Sequence, residues 1–277
     1  MKIRVDGISS VLLLAISVAA PACQTERWSA DENMRARDAD VAAALGDTSH
    51  QNIADLQAED VPNIQCPQAL RPCCAFGADL EVELGAVPLP GVEIGNVIDP
   101  ADVGSHRYDN GYISIDASDA RGIVDNENNG LIYTCRGGFI DLAHVRDNAD
   151  NTLSLATAAG RLMEAGKVAE VPSQGASMRV RFHPIPSEVI ARAGRRKLAV
   201  AMAQWLAFQF SIWHEISTFY GYASMASWPE KISAFSPEDL YSNQIGARLA
   251  GGIILGEGAR SDQEYGISMD AWIARML

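Results

Sequence analysis

The sequence predicts an α+β fold, with short antiparallel strands packed around a long central helix and further helices in a single domain. Three observations lead there. Between Ala78 and Cys135 the β-forming runs are brief and cut by Gly, Pro, Asn and Asp. Beyond Gly138 apolar residues recur at helical spacing over long stretches. The segment 63–277 is also long enough for one domain with a sizeable core.

The N-terminal residues read differently. MKIRVDG, then ISSVLLLAISVAA, then PAC form a short basic start, an apolar run and small residues before a cut. That pattern predicts an export signal over 1–22. Cutting leaves Cys23 at the new N-terminus, so Cys23 is the candidate lipid-attachment residue and a membrane contact through that lipid is expected. The working location is then outside the cytoplasm, in the periplasm or outer envelope. Residues 23–62 follow as an acidic, flexible tether, because nine acids face three bases between Gln24 and Asn63 and few aromatics are present. A short helical piece is expected near Ala42–Leu45. The tether supplies about half of the net charge of −13, and that acidic balance argues against nucleic-acid binding.

Within the domain DLEVELG, VEIGNVID, GYISID and GLIYTC are expected strands, separated by turn chemistry such as VPLPG and DNENNG. FIDLAHVRDNADNTLSLATAAGRLMEAG reads as a helix ending at Gly166. KVAEV and MRVRFHPI suggest a hairpin around PSQGAS. The longest helix is expected from Ser187 to about Tyr220, capped by Gly221. Its run Leu198–Trp213 carries no charge, which places it in the middle of the domain rather than across a membrane. SPEDL starts another helix, with Ser236 as N-cap, Pro237 at the first position and Asp239 at capping-box spacing. Glu238 and Asp239 are thereby explained by the helix dipole. SDQE, from Ser261, opens the last helix.

Several phrases together resemble a known family: RPCCAFG, GNVIDPADVGSHRYDNG, NGLIYTCRGGFIDLAHVRDNAD, QWLAFQFSIWHEISTFYG and SAFSPEDLYSN. They are similar to bacterial exported proteins grouped as domain of unknown function four-zero-five-six, over about Cys66 to Ala250. The resemblance implies an envelope location and carries no activity, so chemistry must come from the residues.

The first candidate site joins two helices. WHEISTFYG begins like the zinc-protease signature H-E-x-x-H, but Thr218 stands where the second histidine belongs. Asp141 and His144 at i, i+3 share one helical face. If the two helices pack together, His144, Asp141, His214 and Glu215 could surround Zn²⁺ or another divalent ion. Glu215 and Thr218 would then be the catalytic pair of a metal-dependent hydrolase. The structural alternative is a buried polar network in which His214 meets Asp141 or Thr218 and Arg146 neutralises Glu215. The second candidate is Cys135, beside Arg136 and read as preceding a helix, with His183 as its base in a cysteine-dependent hydrolase or acyltransferase. Against it, an even set of Cys66, Cys73, Cys74 and Cys135 in an exported chain predicts two disulfides. The loop GSHRYDNG offers His106 to either site, or is simply a turn. A non-catalytic envelope scaffold is the third reading.

Overall fold

The computed structural model describes residues 2–5, 36–46, 81–84, 87–93, 97–108, 127, 129–173, 176–222, 231 and 234–277. Expected strand GYISID, the Asp109–Gly111 turn and Cys66, Cys73 and Cys74 lie outside these residues. The architecture is α+β, with small antiparallel pairs beside helices packed on a central helix. Strands β1 (Lys2–Val5), β2 (Glu81–Leu84) and β3 (Val87–Glu93) form one sheet, with β1 and β2 parallel and β2 and β3 antiparallel. Strand β1 falls inside the stretch read as an export signal. The short helix α1 (Asp38–Leu45) is present where a helical piece was expected. Hairpins β4–β5 (Leu131–Thr134, Gly138–Asp141) and β6–β7 (Val168–Ser173, Ala176–Arg181) complete the strands.

The helix at the centre is α2 (Leu142–Leu162), not the longest one. Sixteen of its 21 residues are buried, whereas only eight of 25 are buried in α4 (Arg195–Phe219). The sequence misleads here for a physical reason. Alanines 143, 149, 156 and 159 with Gly160 let neighbours approach α2 closely, and its many polar residues are paired inside the fold rather than wetted. The charge-free run of α4 instead leaves Trp205 and Trp213 exposed. Its buried positions, Ala199, Val200, Ala203, Ala207, Ser211, Glu215 and Thr218, recur every three or four residues and form one stripe. The expected single helix from Ser187 is also two. Gly194, at φ +85°, ends α3 (Ser187–Ala193) before α4 begins. Among the described residues no helix is long and apolar enough to cross a membrane.

Helix α5 (Pro237–Leu255) completes the layer on α2, and α6 (Asp262–Met276) follows it. Close approach is built into α5 by glycine. A Cβ on Gly246 would stand 2.0 Å from the Val145 carbonyl oxygen of α2, and one on Gly251 would stand 2.1 Å from Gln204 Nε2 of α4. Gln204 spans the α4–α5 gap by donating to the Ala247 carbonyl at 3.1 Å. Helices α2, α4 and α5 are thus held together at short range. Their adjoining ends carry the polar residues described next.

Candidate metal centre

Asp141 is the last residue of β5 and the N-cap of α2. Its backbone sits at φ −88° and ψ 113°, and its Oδ1 accepts from the amides of Ala143 at 2.8 Å and His144 at 3.2 Å. The i, i+3 pair of the sequence is therefore a cap and a first-turn residue, not two side chains of one helical face. The carboxylate still reaches His144, because capping folds it back over the first turn. The Asp141 amide donates to Ser242 Oγ at 2.8 Å, which ties the end of β5 to α5.

His144 is buried, and both ring nitrogens face α5. Nδ1 lies 3.0 Å from Asn243 Oδ1, and Nε2 lies 3.4 Å from Asp239 Oδ1. Asn243 Oδ1 also accepts from Asn148 Nδ2, whose amide group donates to the His144 carbonyl as well. An oxygen that accepts from Asn148 accepts from a protonated Nδ1 too. That choice leaves Nε2, which faces Asp239, as the nitrogen open to a metal ion, as in a metal-binding imidazole whose other nitrogen is held by an acceptor.

Asp239 stands one turn into α5 and is only 1% exposed. Its oxygens make no hydrogen bond of ordinary geometry among the described residues. Burial pushes its pKa up to about 7 from 3.8. His144 and the Ser236 hydroxyl oppose the rise, while Asp141 and Glu215 add to it. A buried carboxylate held this far from its ordinary range is poorly compensated by the chain alone. Asp141, His144 and Asp239 each offer a ligand atom within 4.8 Å of the others, so the group could hold a metal ion. The 3.4 Å between Nε2 and Oδ1 matches two ligands at about 2.0–2.1 Å from one tetrahedral ion, which stand roughly 3.3 Å apart.

His214 stands edge-on to His144 with ring centroids 6.3 Å apart, and to Tyr222 at 5.8 Å. It is a neighbour of the Asp–His–Asp group rather than a member. Glu215 is buried on α4, and its Oε2 accepts from the Phe235 amide at 2.7 Å. Thr218 is buried one turn further on. The expectation that Arg146 neutralises Glu215 is corrected. Arg146 donates to Asn129 Oδ1 and to the carbonyls of Val103 and Gly104, because its place on α2 turns it toward the loop that follows β3.

Cys135 is a free, exposed thiol on the β4–β5 turn. It does not sit at a helix start, because β5 intervenes before α2 opens at Leu142. His183 is exposed just after β7, and among the described residues no hydrogen bond or ion pair joins it to Cys135. His106 completes neither site. It is fully buried between Glu127, 3.2 Å from Nδ1, and Asp150, 3.0 Å from Nε2. Burial pulls its pKa down, but Asp150 and Glu127 together push it above its ordinary value. The carboxylates lie on opposite sides of the ring, so this is a charge clamp rather than a ligand group.

Sequence reasoning missed Asp239, Asn243 and Asn148. Asp239, Ser242 and Asn243 form one buried polar flank on the helix, and that spacing is the available signal. Asn243 gives a direct check on the geometry. Replacing Asn243 with Ala should weaken divalent-metal binding about 10–100-fold without removing a ligand, as expected when the group orienting a metal-binding histidine is lost. A calorimetric titration measures this, and an unchanged affinity would show that Asn243 does not orient His144.

An α+β domain with a buried carboxylate–imidazole–carboxylate group where a strand end and two packed helices meet is the class that fold and geometry define. The chain belongs to the family described as "Protein of unknown function (DUF4056)", whose model matches residues 61–277. No curated protein and no solved structure matches it significantly.

Proposed function

We propose that the chain is a metal-dependent hydrolase that works outside the cytoplasm, with its ion held by Asp141, His144 and Asp239. The observation that supports this most is the convergence of three buried ligand atoms from β5, α2 and α5 within 4.8 Å. Two carboxylate oxygens and one imidazole nitrogen suit Zn²⁺ or Mn²⁺. Such an ion supplies Lewis acidity and lowers the pKa of a water it holds. The chain's own residues do the rest. Asn243 would keep a proton on His144 Nδ1, and the Asp141 and Asp239 carboxylates would balance the charge of the ion they hold. His214, whose ring centroid lies 6.3 Å from that of His144, would accept the proton that an attacking water gives up at a carbonyl or phosphoryl centre. The signal-like start of the sequence supports the location, and Cys23 is the proposed lipid-bearing residue.

Hydrolysis of a panel of chromogenic carboxyl esters, phosphoesters and anilides by the Zn²⁺- and Mn²⁺-loaded protein tests the activity. The expected result is turnover of one class that disappears in His144→Ala and falls in His214→Ala. A loaded protein inert to every class would remove the hydrolase reading while leaving metal binding to be judged separately.

A further inference from the structure

One more buried carboxylate stands beside the Asp–His–Asp group. Glu215 on α4 is 2% exposed; Oε2 accepts the Phe235 amide, and Oε1 has no hydrogen-bond partner among the described residues. No lysine or arginine pairs with Glu215 or Asp239 there.

Thr218 is a second unpartnered polar group on the same buried stripe of α4. It lies one turn beyond Glu215, is 1% exposed, and its Oγ1 has no partner among the described residues. A helical threonine can satisfy its hydroxyl on the preceding turn, as Ser211 and Ser217 of this helix do on the carbonyls of Phe208 and Trp213. Thr218 does not. Phe235, whose amide Glu215 holds, takes φ 64°, a conformation that bulky residues rarely adopt. That contact sets the Glu215 carboxylate at the residue before Ser236, the N-cap of α5, while Asp239 occupies the first turn of the same helix. Glu215 is near enough for its charge to bear on Asp239.

We propose that a second divalent cation binds between Glu215 and Asp239, with the Thr218 hydroxyl as a third oxygen ligand, making the centre dinuclear and Asp239 its bridging carboxylate. The inference rests on the first ion of the proposed function. An oxygen-rich second subsite beside a nitrogen-containing first one suits Mn²⁺ or Mg²⁺. Two ions about 3.5–4 Å apart would clamp an oxygen-rich substrate centre from both sides, which is the arrangement used for phosphoester and amide hydrolysis.

The test is a Mn²⁺ titration of the chelator-treated full chain, followed by elemental analysis and electron paramagnetic resonance. Two Mn²⁺ per chain with an exchange-coupled spectrum is the expected result. Glu215→Gln should then hold one ion with an uncoupled six-line spectrum, since glutamine keeps the acceptor for the Phe235 amide. Thr218→Val should weaken only the second ion. A wild-type chain that saturates at one uncoupled Mn²⁺ would overturn the second site and leave the first standing. No uptake at all would overturn both. The wild-type count decides even if a variant fails to fold.

Discussion

Asp239→Asn should make the metal-free protein more stable at pH 8 and abolish its tight metal binding. The opposite signs follow from one buried charge. In the unfolded chain Asp239 ionises near its ordinary 3.8, whereas in the fold burial, opposed by His144 and the Ser236 hydroxyl and aided by Asp141 and Glu215, pushes it up to about 7. Between those values the folded state carries an extra proton, so stability falls as pH rises from about 4 to 7 and is flat above. At about 1.4 kcal/mol per pH unit, the charged form at pH 8 costs the fold on the order of 4 kcal/mol. Asparagine has nearly the same shape and no charge, so it removes that cost. Chemical denaturation at pH 5 and pH 8 should show a wild-type loss that the variant lacks. Metal binding needs the ionised carboxylate, so wild-type affinity should drop about tenfold per pH unit below about 7 and level off above it. An Asp239→Asn protein less stable than wild type at pH 8 would mean that the carboxylate is already well compensated without an ion.

Gly246→Ala should destabilise the protein and weaken the same metal site from two turns away. Helix propensity alone favours alanine by about 1 kcal/mol. The new Cβ, however, would stand 2.0 Å from the Val145 oxygen, a backbone atom that no rotamer change can move. Helices α2 and α5 must separate, and overpacking of this kind typically costs about 1–3 kcal/mol and sometimes more. With the clash at its upper end, we expect a net loss of about 2 kcal/mol, a fall in Tm of about 4–8 °C for a domain of this size. His144 rides on α2 beside Val145 and Asp239 rides on α5, so the separation also opens the ligand group. Thermal unfolding and a metal titration read the two effects. A variant as stable as wild type would show that the two helices are not in the close contact described.

Much of this arrangement could be read from residues, and the remainder shows where local reasoning stops. The α+β class, the β6–β7 hairpin and the helix starts at Ser236 and Ser261 follow from turn chemistry and periodicity. These are local properties, and the structure retains them, whereas Phe139–Asp141, which reads as helix, forms part of β5. The central helix was not legible, because burial of α2 depends on polar residues finding partners on other elements, which no periodicity reports. Asp141 and His144 were picked out together, but the capping geometry that joins them appears only once β5 is seen to run directly into α2. Asp239 is the instructive case. An acid in the first turn of a helix has a sufficient local explanation in the dipole, and only the packing of α5 on α2 turns it inward against His144. Glu215 and His214 were singled out from a broken signature, and the structure sets them beside the ligand group rather than in it.

The most direct measurement is a calorimetric Zn²⁺ titration of the chelator-treated protein at pH 8, with His144→Ala as control. Saturable uptake by the wild type, lost on removing the one imidazole of the Asp–His–Asp group, is the predicted result. A wild type that takes up no Zn²⁺ or Mn²⁺, or a His144→Ala protein that binds as tightly as wild type, would contradict a metal centre at Asp141, His144 and Asp239.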